Sequence, residues 1–445
     1  MIDSLEVLTL CNMAKTYRPY CPDQLLLLPP SLQDWLPENH LSYFVADVVD
    51  QLDLSAIESY YEKEDRGQPP YHPRMMTRVL VYAYCVGIFS SRKIQKRLVE
   101  DVAFRVIAAG NQPDFRTISD FRKIHHQALE GLFQQVLRLA LEAGAIKVGR
   151  VALDGTKVKA NASKHKAMSY GRMKETERTL REEVRKLLAQ AKAADEDEDA
   201  RYGKDKRGDE LPEELNRRET RLKRIREAKR ALEQRARQEA EDKGKSQEEA
   251  KEAKPKDNAQ YNFTDPESRI MKGSDGFVQA YNAQAAVEAT TQLIVAQAVT
   301  QEANDKQQVV PMVQTTTGQS GQKAAELLAD SGYCSEENLE YLETKKIDAY
   351  IATERQKHGE RTTCKRGPLP KGATLVDKMR RKVQNKIGAA VYVGRKSIVE
   401  PVFGQIKRAR GFTQFNLRGI AKVRAEWALV CLTHNILKMF RLCWG

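Results

Sequence analysis

Apolar residues are spaced as they are in helices through the first 145 residues. Their positions predict helices around 41–54, across the apolar run 75–89, and from 114 to 139. A short basic helix that begins at Ser90 lies between the last two. This part of the chain is therefore predicted to be all-helical.

The basic helix at Ser90 and the helix at Asp114 flank a turn around 110–113. A basic helix, a turn and a second helix resemble a helix-turn-helix, in which the second helix reads the major groove of DNA. The alternative is a solvated basic face without DNA contact. The basic residues concerned are Arg92, Lys93, Lys96, Arg97, Arg116 and Arg122.

After residue 145 the pattern changes to that of short apolar or alternating strands. Strands are predicted at 148–154, 277–287, 292–299, 325–330 and 348–353, and helices at 306–316 and 335–342. Strands that alternate with helices indicate an α/β architecture, with a mixed sheet covered by helices.

A highly charged block, 171–257, separates the first two strands. It holds 26 basic and 24 acidic side chains, so it is nearly neutral. Its apolar residues occupy the seam positions of a short coiled coil. They are Leu180, Val184, Leu187, Leu215, Leu222, Ile225 and Leu232. We predict an antiparallel helical hairpin with a disordered tip, which is either a solvated structural element or an arm for dimerisation or DNA clamping.

Composition narrows the classes of partner. The chain has 74 Lys and Arg against 61 Asp and Glu, a net charge of +13, which favours a polyanion such as nucleic acid or an anionic membrane. A membrane is disfavoured because no basic amphipathic helix with aromatic anchors is present. Seven cysteines without a C-x-x-C pair support neither a disulfide framework nor a zinc ribbon. With no signal peptide and no apolar run of about 20 residues, the protein is expected to be cytoplasmic.

Three acidic residues are placed for chemistry. Asp154 and Asp330 each end an apolar strand, and ligand sites of open α/β sheets lie at the carboxyl ends of strands. Glu400 lies further on, before Pro401. Carboxylates without histidine or cysteine suit Mg²⁺, and two such ions about 3.5–4 Å apart activate water and stabilise the leaving oxygen of a phosphodiester.

Each of these acids has a plainer explanation. Asp154 and Asp330 are also typical turn residues. Ser397 and Glu400 have the spacing of a capping box, which predicts a helix that begins near Ser397. Asp305, at a strand-to-helix junction, is interpreted as a helix cap rather than as a metal ligand.

A basic band surrounds Glu400. Between 355 and 396 there are 13 basic and two acidic residues. The band continues through Lys407, Arg408, Arg410, Arg418, Lys422 and Arg424, with Phe412 and Phe415 between them. On a helix, Glu400, Phe403 and Lys407 share one face, while Ile398, Val402 and Ile406 lie opposite and would pack on the sheet. Contact of this band with a DNA backbone would be sensitive to salt.

Five stretches of the chain resemble bacterial insertion-sequence transposases of the DDE type. They lie at 113–122, 154–161, 281–284, 329–333 and 399–407. The resemblance is to the insertion-sequence-four and -five superfamily, nearest the insertion sequence 1182 family. It implies a helical DNA-binding domain at 1–145, and a ribonuclease-H-like domain at 146–170 and 258–445, whose mixed sheet has helices on both faces. The helical hairpin at 171–257 would be an insertion in that domain.

The resemblance also implies site residues. Asp154, Asp330 and Glu400 would be the catalytic triad that binds two Mg²⁺ ions, with Mn²⁺ as a substitute. The superfamily has a Tyr, Arg, Glu, Lys signature with two, three and six residues between successive members. Glu400 and Lys407 keep the last spacing, and Lys396 takes the Arg position. Tyr392 and Arg395 have the expected spacing from each other, but both lie one residue too far before Glu400. The expected DNA-binding residues are Lys407, Lys396, Arg395, Tyr392, Arg408 and Arg410.

The implied function is that of a transposase that binds the terminal inverted repeats of its own element. It would cleave a phosphodiester and join the liberated 3′ hydroxyl to target DNA, as a DNA-bound homodimer in the nucleoid. Two alternatives stay open: a nuclease of the same fold without strand transfer, and a catalytically silent DNA-binding regulator.

Overall fold

The computed structural model describes residues 31–62, 69–202, 213–242, 244–273, 276–354, 367, 369 and 372–444. Its first part is helical, as predicted. The helices are α1 (Leu41–Asp50), α2 (Ser55–Tyr61), α3 (Pro73–Cys85), α4 (Ser91–Glu100), α5 (Val102–Ile107), α6 (Phe115–Ile124) and α7 (His126–Glu142). Local signals set their ends: the carboxylate of Asp114 accepts the amide of Thr117 at 2.7 Å and so caps α6.

The predicted helix-turn-helix pair corresponds to α4 and α6, which contact each other with the short α5 between them in sequence. The guanidinium of Arg92 lies over the ring of Phe115 at 4.8 Å. Arg122 is buried and donates to the Tyr84 hydroxyl, the Phe89 carbonyl and the Ser91 hydroxyl. Arg122 therefore belongs to the core, and its assignment to a solvated or DNA-contacting face is wrong.

The second part is built on a mixed sheet, as predicted. Its strands are β1 (Arg150–Lys159), β4 (Arg269–Gly273), β5 (Gly276–Glu288), β6 (Ile294–Thr300), β7 (Glu326–Ala329) and β8 (Asp348–Ile351). The order is β6-β5-β1-β7-β8, and β4 pairs with the first residues of β5. β1 is antiparallel to β5 and parallel to β7, which is parallel to β8. The pattern did not predict β4 or the small sheet of β2 (Ala167–Ser169) and β3 (Gln260–Asn262).

Eight further helices complete the described fold. They are α8 (Tyr170–Tyr202), α9 (Glu213–Asp242), α10 (Gln247–Glu252), α11 (Val309–Ser320), α12 (Glu336–Thr344), α13 (Leu375–Gln384), α14 (Lys386–Gly404) and α15 (Ile420–Trp444). Successive side chains of a strand point to opposite faces of the sheet. Leu153 lines a small apolar cavity with Met312 of α11, whereas Asp154 contacts Arg395 of α14. Helices therefore cover both faces.

Helices α8 and α9 run antiparallel and are joined by polar and apolar contacts. Glu177 pairs with Arg226 and Lys229, and the Tyr170 hydroxyl donates to Glu233 at 2.8 Å. Of the predicted seam, Leu180, Leu222, Ile225 and Leu232 are buried, whereas Val184 and Leu187 are half-buried. The predicted tip, 203–212, lies outside the described residues.

Helix α15 connects the two parts of the molecule. It contacts α3 and α7 on one side and β6 on the other. The buried indole of Trp427 donates to the carbonyl of Gln284 in β5 at 3.0 Å. A single cluster of buried apolar residues extends from the N-terminal helices through the sheet to this helix. The sheet is thereby held against a rigid helical layer.

Candidate active site

Two aspartates lie together at one edge of the sheet. Leu153 of β1 pairs with Ala329 of the parallel β7, so the next residues, Asp154 and Asp330, leave adjacent strands at the same level. Asp154 accepts the amide of Gly155 at 2.8 Å, and Asp330 accepts the amide of Gly332 at 2.8 Å. β1 continues to Lys159, so Asp154 lies within a strand and is not a turn residue.

The two carboxylates influence each other. Burial raises the pKa of Asp154 to about 6; Arg395 opposes this shift, and the charge of Asp330 adds to it. The guanidinium of Arg395 lies 3.1 Å from Asp154, and only about a tenth of its side chain is exposed. The positive charge of Arg395, on α14, therefore partly balances the negative charges of Asp154 and Asp330.

A third aspartate belongs to the same edge. Asp305 precedes the 3₁₀ turn Lys306–Gln308, but its side chain makes no capping hydrogen bond, so its interpretation as a cap is wrong. Its Oδ1 accepts from Asn282 at 2.6 Å, from Gln284 at 2.8 Å and from Lys157 at 3.4 Å. These donors come from β5 and β1, so the sheet itself holds Asp305 in place.

Two glycines allow the three aspartates to approach. A Cβ on Gly332 would lie 3.0 Å from Oδ1 of Asp330 and 3.6 Å from Oδ2 of Asp305. A Cβ on Gly155 would lie 3.0 Å from Oδ1 of Asp305. Burial raises the pKa of Tyr333 well above its usual range, and the charges of Asp305, Asp154 and Asp330 act in the same direction. The three acids therefore surround one small region.

Helix α14 differs from the prediction at its start. It begins at Lys386, where Asn385 accepts the amide of Gly388 at 2.6 Å, and it passes through Ser397 and Pro401. The Ser397 hydroxyl donates to the carbonyl of Gly394, so the predicted capping box does not form. Glu400 is exposed on this helix. Ile398, Val402 and Ile406 are buried, which agrees with the predicted packing face.

The expected DNA-binding residues fall into three groups. Arg395 and Tyr392 lie beside the aspartates: Arg395 contacts Asp154, and Asp330 affects the pKa of Tyr392, which burial raises. Lys396 and Arg408 are exposed, and Lys407 donates to the Lys157 carbonyl at 3.0 Å. Burial, with Lys157 nearby, lowers the pKa of Lys407.

Arg410 does not belong to an exposed DNA-binding face. It is buried and donates to Thr433 Oγ1 at 2.8 Å and to the carbonyls of Val430 and Tyr84. Its role is to join α15 to α3. Phe412 and Phe415 are buried as well, so they do not alternate with basic residues on a surface. Residues 355–366 of the predicted basic band lie outside the described part.

The donor set suits a hard divalent cation, although no three-ligand cluster is preformed. Asp154, Asp330 and Asp305 offer only oxygen ligands, which Mg²⁺ prefers. Among the described residues, no three acidic, histidine or cysteine side chains are placed to hold one metal ion. The structure thus places Asp154 and Asp330 at the ends of adjacent pairing positions, and Glu400 is exposed on α14.

Comparison with protein families identifies two transposase domains. The family described as Transposase domain (DUF772) matches residues 30–124, and the Transposase DDE domain matches residues 245–436. The DDE domain implies a ribonuclease-H-like fold, in agreement with the mixed, helix-covered sheet. Comparison with curated proteins and with solved structures gives no match.

The fold and the two domains define the class as a DDE-type enzyme, of the transposase or nuclease type. This pair of domains is characteristic of insertion-sequence transposases. The predicted family is thereby confirmed, although its nearest branch is not. Such transposases act on DNA, and DDE domains generally use divalent ions such as Mg²⁺. No helix in the described residues has the length and apolar character that a membrane crossing requires.

Proposed function

We propose that the protein binds the terminal inverted repeats of its insertion sequence, cleaves a phosphodiester there and transfers the strand to target DNA. The observation that supports this most is the placement of Asp154 and Asp330 on adjacent parallel strands. Catalysis of phosphoryl transfer needs positioned negative ligands for cations more than it needs covalent chemistry from the protein.

In this proposal Asp154 and Asp330 bind two Mg²⁺ ions, or Mn²⁺ in their place, and Glu400 completes the ligand set. When bound, the ions would lower the pKa of the attacking water and stabilise the leaving oxygen. Arg395 holds Asp154 in position from α14. Asp305 acts as a positioning residue, because its hydrogen bonds fix β5 and β1 beneath the two ligands.

We assign DNA contact to Lys407, Lys396, Arg395, Tyr392 and Arg408. We exclude Arg410 because its guanidinium is engaged by Thr433 and by the carbonyls of Val430 and Tyr84 inside the core. Joining requires two DNA ends, so we propose a DNA-bound homodimer located at the nucleoid. We also propose the division into 1–145, 146–170 with 258–445, and a helical hairpin insertion at 171–257. The antiparallel ion pairs between α8 and α9 support the last assignment.

The test is cleavage and joining of a duplex that ends in the element's inverted repeat. Asp154→Ala, Asp330→Ala and Glu400→Gln should each lower both products by at least about 100-fold with Mg²⁺, while DNA binding and the thermal unfolding of each variant are recorded as controls. Full cleavage by a folded variant would remove that residue from the mechanism.

The same assay separates the alternatives. A nuclease without strand transfer gives nicked DNA and no joined product. A silent regulator binds the repeat and cleaves nothing in Mg²⁺ or Mn²⁺. Either result with the wild-type chain contradicts the proposed function.

A further inference from the structure

An open cleft of about 540 Å³ lies away from the aspartates, where α9 and α10 meet the strands β3 and β4. The charged side chains that line it are mostly positive. The charged residues are Arg235, Lys245, Lys254, Lys256 and Arg269, with Glu239 as the acidic member. A cleft lined by one sign of charge concentrates ions of the opposite sign.

The floor of this cleft holds two arginines side by side. Both donate to the carbonyl of Pro266, and Arg269 also donates to Gln301 at 3.2 Å. Neither forms a salt bridge within the described part of the chain, and the carboxylate of Glu267 is engaged by the amide of Ile420 at 2.8 Å. Burial, with Arg235 nearby, lowers the pKa of Arg269 to about 10. Both arginines therefore keep a positive charge at neutral pH without a paired carboxylate.

The rim carries three exposed lysines: Lys245, Lys254 and Lys256. None has an ion pair with another described residue. Tyr261 adds an aromatic face, over which Arg235 lies at 5.6 Å. Half-buried arginines that donate to carbonyls, with exposed lysines at the rim, suit an extended polyanion rather than a single enclosed anion.

The position of the cleft relates it to the candidate active site. Arg269 pairs with Ala280 of β5, and Asp154 pairs with Ala285 of the same strand. Five residues of a strand span roughly 17 Å. The two pairing positions therefore lie in one sheet, about 17 Å apart along β5, and their side chains leave opposite faces of that sheet.

We propose that this cleft binds the phosphodiester backbone of the DNA substrate, outside the site at which the phosphodiester reacts. The proposal rests on the proposed function, since it takes the substrate to be DNA. It gives the last turns of α9 and the segments before and after α10 a role: they present a second DNA-contacting surface outside the catalytic centre.

The test compares two full-length variants that each lose three positive charges. Lys245→Gln, Lys254→Gln and Lys256→Gln remove the rim, whereas Lys186→Gln, Lys223→Gln and Lys323→Gln remove exposed lysines elsewhere. Affinity for a repeat-end duplex is measured by fluorescence anisotropy in EDTA over a range of KCl concentrations. Loss of three phosphate contacts by the rim variant should reduce the slope of log K against log [KCl] by about 2.7 in magnitude. At 100 mM salt, the rim variant should bind the duplex roughly tenfold more weakly or worse.

The control variant should keep a slope within about 1 of the wild-type value. An unchanged slope in the rim variant, or an equal fall in both variants, would overturn the proposal. Cleavage by the wild-type protein is scored in parallel. Wild-type binding without cleavage would count against the proposed function alone, because the salt comparison would still decide whether the cleft contacts DNA.

Discussion

Asp305 shows how a residue's role depends on distant neighbours. Its Oδ1 accepts hydrogen bonds from Asn282 and Gln284, both fully buried. Gln284 in turn accepts from the Tyr333 hydroxyl, next to Asp330. Since Lys157 of β1 also donates to Asp305, these hydrogen bonds connect β1 to the residues that follow β7, and both strands carry a proposed metal ligand.

Replacement of Asp305 should separate positioning from DNA binding. Asp305→Ala leaves one N–H of each of two buried side-chain amides without its acceptor. We therefore expect a loss of about 1–3 kcal/mol of stability and a fall in the rate of cleavage at saturating DNA, with the Kd for DNA nearly unchanged. Asp305→Asn keeps an accepting oxygen and should recover most of both losses. Equal activity of Asp305→Ala and the wild type, or no recovery by the Asn variant, would contradict a positioning role.

The raised pKa of Asp154 predicts a particular pH dependence of stability without metal. The folded chain keeps a proton at Asp154 up to about pH 6, whereas the unfolded chain releases it near pH 3.9. Stability from this group therefore falls as the pH rises from about 4 to 6. In EDTA, urea unfolding should show Asp154→Asn to be more stable than the wild type by up to about 3 kcal/mol at pH 7.5, and little different at pH 4.

Asp114 is the natural comparison for that measurement. The amide of Thr117 lowers the pKa of Asp114, so its stabilising effect is present at neutral pH and is lost in acid. Asp114→Asn should therefore show no gain in stability at pH 7.5. The same gain in both variants would show that the effect of Asp154→Asn does not come from burial of its charge.

The sequence predicted Asp154 and Asp330 because each follows an apolar strand, a signal that is local. It could not predict the burial of Arg410, because the partners of this arginine, Tyr84 and Thr433, are far away in the chain. The contact of Arg395 with Asp154 is equally non-local. Spacing left Arg395 and Lys396 as alternatives for the Arg position of the signature; in the structure Arg395 contacts Asp154, whereas Lys396 is exposed.

At the level of elements, α14 shows why a short motif misled. Ser397 and Glu400 have capping-box spacing, but eleven residues of the helix precede Ser397, because Asn385 caps an earlier start. Pro401 lacks the amide that would bond to the Ser397 carbonyl. The side chain of Gln292 donates to that carbonyl at 2.9 Å instead. A proline is therefore tolerated inside the helix through a contact that the sequence pattern cannot show.

The turn between α3 and α4 provides a test of packing between elements. Gly87 has a φ of +78°, and a Cβ there would lie 2.7 Å from the carbonyl oxygen of Arg410. Gly110 has a φ of +76° with open space around it. Gly110→Ala should cost about 1 kcal/mol through its φ alone, and Gly87→Ala at least about 2 kcal/mol more in urea unfolding. Equal costs would contradict this close approach.

At the scale of the whole molecule, a buried polar path joins the helical part to the rest. Arg122 donates to the Tyr84 hydroxyl, which donates to Glu426 of α15 at 3.1 Å. Glu426 also accepts the amides of Asn416 and Leu417. The order of strands and helices could be predicted from periodicity, whereas this integration could not, because periodicity gives no information about which distant elements meet.

The net charge of +13 also resolves into distinct regions. Ion pairs connect the helices α8 and α9, for example that of Glu183 with Arg218. Within the part of the chain that the structure describes, basic side chains without an ion pair lie instead at the cleft beside β4 and at Lys386 and Lys396 of α14. Part of the charge that sequence reasoning gave to a DNA-binding face, at Arg122 and Arg410, is structural.

The central claim is that Asp154 and Asp330 support metal-dependent strand transfer. The most direct measurement is joining of a pre-cleaved repeat end with a free 3′ hydroxyl to plasmid DNA, with wild-type protein and Asp330→Ala at equal DNA occupancy. We expect joined product with wild-type protein in Mg²⁺, none in EDTA, and at least about a 100-fold loss with the variant. Joining that survives EDTA or the loss of Asp330 would contradict it.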